Sequence, residues 1–241
     1  SFMKGEELIA QYQKIWDEFE HSPINNGTAS HSDKLLDRGF VFQFDEEIIN
    51  PDVLFIGINP SYRSEKEKPT FYTKSQVLEH AYFQPFFKIE HQLKNRYQRE
   101  ISWTHLDLLV FRETRQSFIK KDLFKKNNSK GVKFLYDQLM VSKSILAYYN
   151  PKVVVVANSL ARLFLGYERV KKAGKEHNVW MDYLFEFDPK MGTLQMKDLT
   201  NKKCNPHCFL TSMLSGQRAL DIGSRERLVW HIDYVLSKLE Y

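Results

Sequence analysis

Residues 51–61, Pro-Asp-Val-Leu-Phe-Ile-Gly-Ile-Asn-Pro-Ser, constrain this chain more than any other stretch. Val53 to Ile56 follow a Pro-Asp start without polar alternation, the pattern of a strand buried on both faces of a parallel sheet. The run stops at Gly57, which admits close approach of another group, and Pro60 stiffens the turn that follows. Asn59 and Ser61 place hydrogen-bonding groups beyond the strand's carboxyl end, where ligands bind in open α/β sheets. The competing reading is an ordinary β-α loop in which Asn59 closes its own turn.

The rest of the chain supplies partners for such a strand. Leu8, Tyr12, Ile15, Trp16 and Phe19 fall at helical spacing within residues 5–20. Phe40, Phe42 and Phe44 alternate as in a short strand, and 62–75 reads as a long basic loop. A helix is expected over 77–97, started or kinked by Pro85, then a buried strand over 106–111 whose one charge is Asp107. A helix over 135–149 stops before Pro151, and four consecutive valines from Val153 make the clearest buried strand. Asn158 and Ser159 can cap the helix that follows. Two strand-like runs around Asp188-Pro189-Lys190-Met191 predict a hairpin insertion near 179–196. A last strand is expected over 208–213 and a last helix over 223–239. Strands alternating with helices predict an α/β fold, a three-layer α/β/α sandwich around a mostly parallel sheet.

Length and charge set outer bounds. The 241 residues suit one domain, 1–241, and no Pro/Gly/Ser-rich linker divides them. No apolar run reaches the roughly 20 residues that span a bilayer, and no signal-peptide pattern is present. Cys204 and Cys208 are too few for a disulfide framework, so a cytoplasmic location is expected. They sit beside His207, but three candidate ligands without a fourth make a poor zinc site, so no metal is expected. The 35 basic and 30 acidic residues leave a formal charge of +5, which permits nucleic-acid binding without demanding it. Arg63, Lys66, Lys68 and Lys74 follow the strand tip directly, where cations suit a phosphate-bearing partner. Neither a Walker loop, nor a Gly-x-Gly-x-x-Gly, nor a Gly-x-Ser-x-Gly is present, which counts against ATP, dinucleotide and ordinary α/β-hydrolase chemistry. No cofactor is expected.

Taken together, the strand-end loops resemble the uracil-DNA glycosylase superfamily, closest to its mismatch-specific uracil/thymine branch. Gly57-Ile58-Asn59-Pro60-Ser61 is similar to that branch's first motif, Gly-Ile-Asn-Pro-Gly. Met213-Leu214-Ser215-Gly216-Gln217-Arg218-Ala219 is similar to its second, an Asn-Pro-Ser-Gly-Leu loop leading into the final helix. Residues 104–114, with Asp107, Arg112 and Thr114, resemble the middle strand and its Arg-x-Thr turn, and residues 151–161 resemble a later Pro-Lys-Val-Val strand. The likeness runs in order over residues 50–238. This chain departs from the branch at Ser61 for glycine, Met213-Leu214 for Asn-Pro, and Asp107 for a base-reading asparagine. Two cysteines exclude the four-cysteine iron–sulfur cluster of the thermophilic branch.

The resemblance implies a hydrolase of the N-glycosidic bond of a deaminated or mismatched, uracil-type base in double-stranded DNA, with the base flipped into a pocket. Asn59 would position the attacking water, and Gly57, Ile58, Pro60 and Ser61 would line the base site. Phe71 would stack on the base, with Tyr72 as the adjacent option, and Asp107 would read its edge. Ionised, Asp107 would suit amino-bearing edges; its competing role is a buried partner to Arg112 or Arg115. Arg63 and the loop Leu214, Ser215, Gly216, Gln217 and Arg218 would hold the DNA. The alternatives are a homologue that binds nucleic acid without efficient chemistry, and a hydrolase of small nucleosides or related N-glycosides.

Overall fold

The structure, a computed structural model, describes residues 2–20, 35–61, 70–123, 129–167, 180–214 and 219–240. Its centre is a six-stranded sheet. In chain order the elements are α1 (Gly5–Glu20), β1 (Phe42–Gln43), β2 (Val53–Gly57), β3 (Phe71–Tyr72), α2 (Gln84–Tyr97), β4 (Trp103–Asp107), α3 (Ser129–Tyr149), β5 (Val153–Val156), α4 (Ser159–Leu165), β6 (Tyr183–Asp188), β7 (Thr193–Asp198), β8 (His207–Leu210) and α5 (Ile222–Leu239). The sheet runs β4-β2-β5-β8-β7-β6, parallel from β4 to β8 and antiparallel through β7 and β6.

Strand alternation sorts the core into two layers. Leu54, Ile56, Val154 and Val156 turn to one face, where α1, α3 and α4 cover them. Val53, Phe55, Trp103, Val153 and Val155 turn to the other, against α2 and α5. Both faces are therefore dry, which is why β2 and β5 are apolar at every position. Among the described residues no helix is long and apolar enough to cross a membrane.

Several elements differ from the sequence expectation. The helix expected over 77–97 begins at Gln84: two 3-10 turns, Lys74–Val77 and Ala81–Phe83, precede it, and Pro85 sits in its first turn, where a missing N–H costs nothing. The strand expected over 106–111 is Trp103–Asp107, so Asp107 stands at its carboxyl end and not inside it. Phe42 pairs with Phe71 in a two-stranded parallel ribbon that the basic-loop reading of 62–75 does not include. The hairpin expected near 179–196, as far as it falls in the described residues, is β6 and β7; it extends the main sheet, because β7 pairs with β8.

Candidate functional site

The strand order brings three carboxyl ends together. β2 lies between β4 and β5, so the chain leaves the centre in both directions and opens a crevice above the ends of these strands. Beyond the strands, the loops after β2 and β4 stay joined: Leu108 N donates to Gly57 O at 3.1 Å, Leu109 N to Ile58 O at 2.9 Å and Glu113 N to Pro60 O at 3.1 Å. Asn59 completes this seam. Its Nδ2 donates to Glu113 O at 2.7 Å, Pro60 O at 3.0 Å and Phe111 O at 3.4 Å. The amide is thereby oriented, and Oδ1 is the atom left to meet an incoming group as an acceptor.

Two cavities open on either side of Asn59, Ser61 and Tyr82, which line both. The first has about 280 Å³ and an apolar, aromatic wall from Val41, Tyr72, Val77, Tyr82 and Phe83. Pro60, Asp107 and His80 also line it. That volume is near the small end of the roughly 300–1,000 Å³ usual for small-molecule sites, the scale of one heterocycle. The second has about 230 Å³ and is lined by Gly57, Ile58, Thr114, Asn158, Met213 and Leu214, among others. Asn158 caps α4, its Oδ1 accepting from Leu160 N and Ala161 N, both at 2.9 Å. Leu220 N donates to Met213 O at 2.8 Å.

A tight polar cluster borders the cavities through Tyr82, Asp107 and Gly57. In register, Gly57 faces Asp107, and period-two alternation puts His105 on the same face. The Tyr82 hydroxyl is 3.2 Å from His105 Nε2, which lies 3.6 Å from Asp107 Oδ1. A Cβ at position 57 would come within 2.5 Å of Asp107 Oδ1, 2.9 Å of the Tyr82 hydroxyl and 3.0 Å of His105 Nε2. Glycine is there to make room. Burial pushes the Asp107 carboxyl up to about 7 and the His105 imidazole down to about 3, since each loses water without gaining an opposite charge. Burial likewise raises the Tyr82 and Tyr72 phenols, with the charge of Asp107 adding to it. His105 is therefore neutral at physiological pH.

The site residues read from the sequence fall into three groups. Asn59, Pro60, Ser61, Tyr72 and Asp107 line the first cavity, and Gly57, Ile58 and Leu214 the second. Phe71 is not among the lining residues: its ring stacks on Phe42 at 5.6 Å and lies against Gly5, so Tyr72 is the aromatic residue of that pair at the cavity. Arg63, Ser215, Gly216, Gln217 and Arg218 lie outside the described residues. The arginines considered as partners of Asp107 are engaged elsewhere, Arg112 on the Arg38 carbonyl and Arg115 on Glu113.

Sequence reasoning missed Tyr82, Phe83, His80 and Val41, which the 3-10 turns and the β1 region deliver to the cavity. No local pattern marks them, because each comes from an irregular segment. His105 did carry a signal: it precedes Asp107 by two residues in a strand, and so shares its face. Neither a scan against protein-family models nor a search of the curated proteins returns a match for this chain.

Proposed function

We propose that this protein hydrolyses the N-glycosidic bond of a deaminated or mismatched, uracil-type base in DNA. The observation that carries this reading is the pair of cavities meeting at Asn59, one aromatic and base-sized, the other running to the Met213–Leu214 loop. A flipped base would occupy the first between Tyr72, Tyr82 and Phe83, and its sugar would straddle Asn59. Leu214 would press toward the vacated stack.

In the reaction, the bond from C1′ to the base nitrogen breaks and its electron pair leaves with the base. Water oxygen bonds to C1′, the water gives up a proton to solvent, and the base anion takes one from solvent. Asn59 Oδ1 would accept a hydrogen bond from that water and aim it. An amide does not take up a proton at neutral pH, so Asn59 positions and does not act as a base. Most of the rate must come from electrostatic stabilisation of the departing base and the sugar cation. No metal or redox step enters the reaction as written.

The test is incubation with labelled duplexes carrying uracil, a thymine mismatch, hypoxanthine or xanthine, and with the matching free nucleosides. The expected result is slow formation of abasic DNA by the wild type, reduced at least about 100-fold in Asn59→Ala. Because Asn59 also ties two loops, the variant's circular dichroism must match the wild type before its rate counts. DNA affinity with a steep salt dependence but no cleavage would replace the enzyme by a binding protein, a role that leaves the Asn59 amide purely to its backbone contacts. Cleavage of nucleosides alone, with no DNA affinity at low salt, would move the substrate to small N-glycosides.

A further inference from the structure

Asp107 is the one carboxyl among the described residues that line the base-sized cavity. Its Oδ1 is buried without a hydrogen-bond partner, closed off against Gly57. Oδ2 is the oxygen left to meet an occupant. The titratable groups around it come from four elements: His105 on the same strand, Tyr82 from the turn before α2, Tyr72 from β3 and Tyr12 from α1. His80 lines the same cavity, and no lysine or arginine does so among the described residues. A carboxylate here would have lost its water and gained neither a donor nor a cation, so the geometry favours the neutral acid.

Resting on the glycosylase reading, we propose that Asp107 engages the base as a neutral carboxylic acid, its Oδ2 hydroxyl donating a hydrogen bond to the ring carbonyl at the position where cytosine and adenine carry an amino group (O4 of uracil, O6 of hypoxanthine or xanthine). The selected class is then bases with a carbonyl at that position, of the uracil, hypoxanthine and xanthine kind, against cytosine and adenine. An ionised carboxylate would select the opposite class, bases that present amino N–H groups. As the glycosidic bond breaks, charge grows on the ring carbonyl, and a hydrogen bond to it strengthens. Asp107 keeps its proton throughout, so it stabilises the leaving group without acting as a general acid. Burial has already moved its titration up to about 7, which places the neutral form within the physiological range.

Two measurements test this. The first is the single-turnover rate on a uracil duplex for wild type and Asp107→Asn across the neutral range. With a titration near 7, the wild-type rate should fall about tenfold between roughly pH 6 and pH 8. Asp107→Asn keeps an N–H donor at every pH, so its rate should vary less than about twofold over that range. The second is a carbon-13 NMR titration of aspartate carboxyls in the protein alone. One resonance, missing from Asp107→Asn, should titrate near 7 and shift when free uracil is added, but not when free cytosine is added.

A rate that rises with pH through 7, or a wild-type fall that persists in Asp107→Asn and so belongs to His80 or another group, overturns the proposal. So does a carboxyl titrating near 4, the ordinary range. If no duplex is cut at any pH, the glycosylase reading falls by itself, and the NMR titration with free bases still decides the state and preference of Asp107.

Discussion

Gly57 lets Asp107, His105 and Tyr82 share one corner, and that corner leaves a thermodynamic signature. The Asp107 carboxyl titrates near 7 in the folded protein and near 3.8 unfolded, so the folded state holds a proton that the unfolded chain gives up. Its contribution to stability is most favourable below about pH 4 and falls as pH rises to 7, with a full penalty of at most about 4 kcal/mol above that. His105 has the opposite sign. Its imidazole is depressed to about 3, so stability from this group is present above the unfolded value of 6.5 and is lost as pH falls toward 3. From about pH 4 to 6.5 the two slopes oppose each other. Asp107→Asn removes one of them. We expect its stabilisation over wild type in urea unfolding to be larger near pH 8 than near pH 5 by roughly 2–3 kcal/mol. A difference that is the same at both pH values would mean that Asp107 is an ordinary ionised carboxylate.

At the scale of elements, the cavity depends on α2 and the turns before it. Phe86, Ile89 and Leu93 form the buried stripe of α2, and they hold it on Phe55 and Trp103 of the sheet. Phe86 stacks on Phe55 at 4.4 Å, and Phe83, one residue before the helix, turns into the cavity wall. The far end of α2 is clamped by Arg99, whose Nε meets Asp233 of α5 at 2.6 Å and whose Nη2 donates to Ser237 at 2.7 Å. Ile89 is fully buried at the middle of this arrangement. Ile89→Ala should cost about 2–5 kcal/mol in urea unfolding, from lost transfer energy plus the hole it leaves. A loss below about 1 kcal/mol would show that α2 is loosely seated and that the turn carrying Tyr82 is not held by it.

Across the whole molecule, stability should be graded along the sheet. β2 and β5 are buried at every position and bonded on both sides, whereas β6 is an edge strand with Leu184 and Phe187 exposed. Local opening follows burial and hydrogen-bond protection. Amide exchange should therefore be slowest in β2 and β5 and fastest, among the strands of this sheet, in β6. Uniform protection across the six strands would mean that the β6–β7 hairpin unfolds only with the core.

Val53–Ile56 and the four valines from Val153 announced a buried parallel sheet, because residues dry on both faces need no alternation. The cap at Asn158 and the apolar stripe of α1 were legible for the same local reason, as was the turn chemistry of Gly57, Asn59 and Pro60. Only the tertiary structure decided that Tyr72 and not Phe71 meets the cavity, since adjacent strand residues face opposite ways and the register of β3 on β1 sets which is which. Tyr82 and His80 reach the site through 3-10 turns with no periodicity to betray them. The state of Asp107 was hidden most completely. A carboxyl's charge is set by the water and partners it loses on burial, and those belong to Gly57, His105 and Tyr82, which the chain brings from three separate places.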